Sequence, residues 1–229
     1  MLALLTICGL AMWILSTACM QGPEALTAEK ARSAILARLS GGRPERLRGV
    51  QLAWESYDSS KKSLLTGSFK ASLQFPDRLR IEATHLNGAS TVWKLKGKSC
   101  WVGPGRGPFL EIEGAARARL ESTFLLLGSL LGWDLLPAAG TGPEITDSML
   151  VTRASWRGET GTELRRQLGG EPPQVLQLEI GTRRCRLRGE LLGGGGRLAK
   201  EIELSESRIV LTRFIADCAF KEAFFEPVL

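Results

Sequence analysis

The period of its apolar residues constrains this chain more than any other feature. In Arg78-Leu79-Arg80-Ile81-Glu82-Ala83 and again in Thr91-Val92-Trp93-Lys94-Leu95-Lys96, apolar and polar side chains alternate. Period two over this length predicts strands with one buried and one solvated face, Trp93 and Leu95 inward, Lys94 and Lys96 outward. The pattern is repeated upstream, where Val50, Leu52 and Trp54 alternate with polar neighbours, and along the long run from Leu65 to Phe75. Further strands are read at Met149–Arg157, Glu163–Leu168, Gln174–Ile180, Arg183–Leu192, Leu198–Leu204 and Arg208–Ala216. Pro76-Asp77, Gly103–Pro108 and Pro137–Pro143 are the turns and loops between them. Trp54, Phe69, Leu73, Leu79, Ile81, Trp93, Leu95 and Trp101 are thereby read onto one side of a sheet, as its core or as the wall of an apolar cavity.

Two segments break the strand pattern. Ala28–Ser40 carries Ala28, Ala31, Ile35 and Leu39 on one helical face, with Thr27 placed to cap its start and Gly41-Gly42 to end it. Ala115–Leu131 reads as a second helix with Leu120, Phe124, Leu127 and Leu131 in register, and Leu125, Leu126 and Leu130 widen its apolar face. A helix so apolar is buried by protein or by lipid. The fold class is therefore mainly β with helices (α+β), an antiparallel sheet with an N-terminal helix and a central apolar helix covering the interior. Phe124 and Leu127 join the eight sheet residues as candidate cavity lining. The central helix is either a plug in the core or a lid over a lipid cavity.

Charge and chemistry exclude more than they select. The 30 basic and 24 acidic residues give a net charge of +6, but the signs are interspersed, and no basic patch with aromatic support marks a nucleic-acid surface. The single histidine, His85, stands beside a loop tip with no catalytic constellation around it. No phosphate-binding loop, nucleophile elbow or metal-ligand spacing occurs, so no enzyme activity, catalytic residue, metal or cofactor is expected. Arg184, Arg186 and Arg188 read as a solvated strand face, and Gly193–Gly196 as a flexible hairpin tip. Cys100, Cys185 and Cys218 read as buried small apolar residues, with a Cys185–Cys218 disulfide as the alternative in an exported protein.

Residues 1–20 contain no charged side chain. Small residues Ser16-Thr17-Ala18 lead directly to Cys19, and polar sequence follows. This resembles a bacterial lipoprotein signal in which Cys19 is acylated, with residues 1–18 removed, 19–25 as a tether and 26–229 as a single domain. A cleaved ordinary signal peptide and an uncleaved signal anchor are the rival readings. All three carry the chain beyond the cytoplasmic membrane.

From about Leu26 onward the layout of helix, strands, central helix and strands resembles the LolA/LolB superfamily of periplasmic lipoprotein carriers and outer-membrane receptors. Pro76-Asp77-Arg78-Leu79-Arg80 is similar to the segment leading the family's third strand. Gly97-Lys98-Ser99-Cys100-Trp101 resembles its Asp-Gly-Lys-x-x-Trp turn, with Lys96 in place of the aspartate, and Leu86-Asn87-Gly88 sits where LolB-like receptors expose an apolar loop residue. The resemblance implies an unclosed, strongly curved β-barrel holding acyl chains of lipoproteins or lipids, without enzymatic activity. With Cys19 as a lipid anchor and Phe75 where the carriers have an arginine, it favours the LolB-like branch. It further implies a monomer at the outer membrane facing the periplasm, Leu86 in contact with the bilayer, and a LolA-like carrier as partner. The other open reading is a structural or assembly lipoprotein with a filled core that binds another envelope protein.

Overall fold

The computed structural model describes residues 26–59, 64–85, 87–105, 107–136, 142–154 and 161–227. Residues 1–25, with Cys19, and Leu86 lie outside them. Helix α1 spans Ala28–Ser40. The Thr27 side chain accepts a hydrogen bond from the Lys30 amide, and Gly41 closes the helix in the left-handed conformation. Strands β1 (Gly49–Asp58), β2 (Leu64–Gln74), β3 (Arg78–Thr84), β4 (Ser90–Lys96), β5 (Ser99–Pro104) and β6 (Leu110–Glu111) follow. Helix α2 (Gly114–Leu130) then interrupts the strands. After it come β7 (Glu144–Thr146), β8 (Met149–Ala154), β9 (Thr162–Gly169), β10 (Gln174–Ile180), β11 (Arg183–Gly193), β12 (Gly196–Glu203) and β13 (Ser207–Ala216).

Among the described residues these strands form one antiparallel sheet in the order β6-β5-β4-β3-β2-β1-β13-β12-β11-β10-β9-β8-β7. The chain thus closes through β13 onto β1, while β6 and β7 remain as free edges, so the sheet is unclosed. Its seam is short: β12 and β13 pair only over Glu201–Glu203 against Arg208–Val210. The alternation read from the sequence gives the inner face. Ala216, Val50, Leu73, Leu79, Leu95 and Cys100 stand in register across six strands, each buried. Both helices pack on this face, and their apolar residues join one cluster with it.

Three sequence expectations are corrected, those for Trp101, Lys94 and the glycine hairpin, and for the cysteines the disulfide alternative is set aside. Trp101 pairs with Lys94 while Trp93 pairs with Ile81 and Val102, so Trp101 stands on the outer face and does not line the interior. Lys94 is on that outer face but only 2% exposed, because Phe109 and the C-terminal segment cover it. Cys185 and Cys218 are free thiols, Cys185 facing the interior from β11 and Cys218 lying beyond β13. The glycine hairpin is a packing contact: Gly194-Gly195 make the positive-φ turn between β11 and β12. A Cβ on Gly196 would lie 1.8 Å from the Leu39 carbonyl oxygen, and one on Gly41 2.1 Å from that of Gly195. Backbone meets backbone there, which only glycine permits.

Candidate functional site

The sequence-predicted lining residues fall on the half of the sheet made by β1–β5. Leu73, Leu79 and Leu95 are fully buried, Trp54 and Ile81 nearly so, and Phe124 and Leu127 cover them from α2. Trp54 stacks on Phe69 with ring centroids 5.3 Å apart, and Phe69 and Trp93 pack against the same cluster. These side chains form a filled core. Trp101 belongs to the other face.

Open space lies elsewhere, where α1 and the end of α2 cross β9–β12. A cavity of about 220 Å³ is bounded there by Ile35 and Leu39 of α1, Leu130 of α2, and Val175, Leu178, Leu187 and Leu198 of the sheet. Its rim is polar. Arg38 bonds the Glu190 carboxylate and donates to Gln174 at 3.1 Å, and Arg197 donates to the other Glu190 oxygen at 3.2 Å. An apolar interior with a charged mouth suits one end of an amphiphile. The volume exceeds the roughly 150 Å³ that holds a benzene ring but falls short of the roughly 300 Å³ at which ligand pockets usually begin. It takes a short apolar group as it stands, and a longer chain needs the helices to part.

What holds the helices down is a buried ion pair that the sequence reading passed over. On β9, Arg166 shares its inward rung with Leu150, Leu178 and Cys185. Its guanidinium donates to both carboxylate oxygens of Asp134 at 2.6 Å and to the Ser129 carbonyl at 2.9 Å. Thr152 donates its hydroxyl hydrogen to Asp134 and accepts from Arg166 at 3.1 Å. Arg166 is 1% exposed and Asp134 5%. Removing one partner of such a pair strands the other in a medium that cannot solvate it, at a cost of about 3–5 kcal/mol. Both terminal nitrogens of the guanidinium are thus engaged, and Arg166, which also lines the cavity, clasps the end of α2 to the sheet.

The clasp is one of three ties converging on the turn Gly132–Leu136. Trp133 is fully buried and donates its indole N–H to the Leu47 carbonyl at 2.7 Å, meeting Phe75 and Phe124 edge to face. Arg32 of α1 donates to the Leu135 carbonyl at 2.7 Å. Two signals in the sequence mark this hub. Arg166 alternates with Leu164 and Leu168, which puts a charge on an apolar face, and Asp134 is the one charged residue between Thr123 and Leu136. A charge in either setting needs a buried partner.

Burial acts on three further titratable groups, raising the thiols of Cys218 and Cys185 and lowering the Lys94 ammonium. It pushes the Cys185 thiol up to about 11, with Arg183 opposing. It pulls the Lys94 ammonium below the ordinary lysine range, the charge of Arg80 adding to the effect and Glu226 opposing it. Among the described residues no group of three or more His, Cys, Asp or Glu side chains could hold a metal ion, and no helix is long and apolar enough to cross a membrane.

No protein-family model and no curated protein sequence matches the chain. Solved structures do. A LolA superfamily protein from Nitrosomonas europaea aligns with a TM-score of 0.51 at 11% identity, over 88% of this chain and 98% of that one. A DUF1329 family protein from Desulfovibrio piger gives 0.46 at 11% identity over 88% and 98%. A proposed outer membrane lipoprotein-sorting domain from Vibrio parahaemolyticus gives 0.44 at 9% over 86% and 97%. The last two align too loosely to carry an argument. Helix, β1–β6, central helix and β7–β13 together thus have the fold of a LolA superfamily protein.

Proposed function

We propose that this chain is a non-enzymatic lipid- or lipoprotein-binding protein of the bacterial cell envelope, which takes an acyl chain between its two helices and the inner face of its sheet. The observation that supports this best is the apolar, polar-rimmed cavity under α1 and α2, in a fold shared with a LolA superfamily protein. Each methylene buried contributes about 0.8 kcal/mol, so even a chain partly inserted into this cavity is held firmly enough for transfer. Enclosing a whole chain requires the two helices to part, and the strong curvature expected of a family barrel would provide the room.

In this reading Cys19 carries the lipid anchor, Leu86 touches the bilayer, and a LolA-like carrier hands over the lipoprotein's acyl chains, as in the LolB-like branch. His85, Asn87 and Gly88 flank Leu86 and are exposed in the loop between β3 and β4, a position from which a leucine can reach a membrane. The chain is then a monomer, anchored at the outer membrane and facing the periplasm. Purification of the full chain followed by lipid extraction and mass spectrometry tests the cargo. Co-purifying acyl lipid and saturable uptake of a fluorescent fatty acid are expected, and the absence of both refutes carriage. Incorporation of radioactive fatty acid that vanishes in Cys19→Ser tests the anchor. Lipoproteins retained at the wrong membrane in cells carrying Leu86→Glu test the loop.

The filled half of the sheet favours a second reading, an assembly lipoprotein whose core is structural and whose surface binds another envelope protein. Under it the cavity is incidental, and filling it with Leu187→Phe leaves the cellular phenotype unchanged.

A further inference from the structure

On the outer face of the sheet, away from the acyl cavity, the ladder brings together an unusual donor set. One rung runs Arg213–Ala53–Lys70–Glu82 across β13, β1, β2 and β3, and the adjacent rung runs Gln51–Ser72–Arg80 across β1, β2 and β3. The two small residues, Ala53 and Ser72, are diagonal neighbours at the centre of this patch and leave a depression of about 210 Å³ with Phe224 as one wall. Arg213 and Lys70 flank Ala53 from either side, two strand spacings or about 10 Å apart at the backbone. That separation lets both side chains converge over a group the size of an oxyanion.

Three features separate this patch from an ordinary solvated face. Lys70 and Arg213 have no carboxylate partner among the described residues. On the β11 face Arg184 pairs with Glu179 and Arg188 with Glu203, while Arg186 between them also has no carboxylate partner among the described residues, so it is the convergence of Lys70 and Arg213 on one depression that distinguishes this patch. Ser72, only 8% exposed, is among the residues that line the depression and offers a neutral hydroxyl there. Finally, the register of β13 against β1 slips between Ala53 and Trp54, so Thr212 and Arg213 are successive exposed residues opposite Ala53. A bulge of this kind re-aims a side chain, here Arg213. Arg80 is held in place by stacking over Phe224, its guanidinium carbon 4.8 Å from the ring centroid, and has only a loose contact with Glu82 at 3.8 Å.

We propose that this depression binds a phosphoryl oxyanion, with Lys70, Arg80 and Arg213 supplying charge and Ser72 and Gln51 supplying neutral donors. Three cations against Glu82 leave an excess of two positive charges, which matches a phosphate monoester and also accommodates a phospholipid headgroup. The site stands on the opposite face from the cavity and does not depend on acyl binding.

The test uses the full chain and the variants Lys70→Gln, Arg213→Gln and Ser72→Ala at constant ionic strength. Inorganic phosphate and glycerol 3-phosphate are titrated calorimetrically, and flotation is measured with phosphatidylglycerol and with phosphatidylcholine vesicles. Saturable phosphate binding is expected, weakened about tenfold or more by either charge variant, since a hydrogen bond to a charged group contributes on that order. If flotation with phosphatidylglycerol falls in the same variants, the phosphoryl group is a lipid headgroup. If flotation is absent or indifferent to them, the ligand is a soluble phosphate ester. No saturable phosphate binding, or binding that all three variants leave unchanged, overturns the site. Lys70 and Arg213 are exposed, so unchanged thermal unfolding and fatty-acid uptake serve as the folding control.

Discussion

The two halves of the inner sheet face are built to the same plan and filled differently. Across β1–β5, the rung Val50–Leu73–Leu79–Leu95–Cys100 is apolar throughout and α2 lies on it with Phe124 and Leu127, leaving a packed core. Across β8–β11, the rung Leu150–Arg166–Leu178–Cys185 contains an arginine, and beside it lies the cavity. A guanidinium on an inward rung cannot be covered by a leucine. It demands Asp134, Thr152 and the end of α2 as partners. The polar device that satisfies it also fixes α2 at its C-terminal end, with open apolar volume beside the clasp.

The largest expected effect breaks that device. Arg166→Ala or Asp134→Ala should lose about 3–5 kcal/mol in urea unfolding, whereas the double substitution Arg166→Leu with Asp134→Leu should recover most of the loss, because it removes both charges together. If the single variants cost no more than a surface substitution, the clasp does not hold the helix.

Next in size is a contrast between the halves themselves. Leu79→Ala in the filled half should cost about 3–5 kcal/mol. Enlarging the same site with Leu79→Phe should cost about 1–3 kcal/mol through overpacking. Leu187→Phe points into open space and should be close to neutral in stability while reducing fatty-acid uptake. Equal penalties for the two phenylalanine variants would mean that the halves do not differ.

The contrast also shows what could be read from the chain beforehand. Period two placed Leu73, Leu79, Ile81, Trp93 and Leu95 on the inner face, because alternation is a local property of a strand. It placed both helices to within a residue, because capping and apolar register are local too. Trp101 was assigned to the wrong face because the turn at Gly97-Lys98 resets the phase between β4 and β5, and phase across a turn is not local. The cavity was beyond reach for a related reason. Its wall combines Ile35, Leu130, Val175 and Leu198, which only the sheet order brings together. Arg166 was within reach: its place between Leu164 and Leu168 put a charge on an apolar face. The short strands β6 and β7 carry too few residues to show a period.

Smaller effects separate the thiols. Native Cys185, buried with its thiol pushed up to about 11, should resist an alkylating reagent at pH 8, and buried Cys100 likewise, while partly exposed Cys218 should react first by peptide mapping. Early loss of Cys185 would mean that the β8–β12 half opens readily.

The smallest concerns the C-terminal segment on the outer face. Glu222 is exposed and contacts Lys96 at 3.0 Å and Arg78 at 3.3 Å, and its hydrogen bond and charge interaction with Lys96 hold its carboxyl below the usual range. A depressed carboxyl pKa stabilises the fold at pH above its unfolded value, and that contribution is lost as pH falls through the folded one. Acid should therefore loosen this segment slightly, and Glu222→Gln should remove that part of the pH dependence of thermal unfolding. An unchanged acid limb would show that the segment is held by its other ties, the burial of Phe225, the Lys94 and Lys96 contacts with Glu226 and the Arg80–Phe224 stack.

Entry of acyl chains into the cavity beneath α1 and α2 is what the proposed function requires above all. A photoreactive fatty acid, crosslinked to the full chain and mapped by mass spectrometry, tests this directly. Adducts on Leu130, Leu178, Leu187 or Leu198, diminished by Leu187→Phe, are the predicted result. Adducts confined to the outer face, or none above an unreactive control, would contradict it.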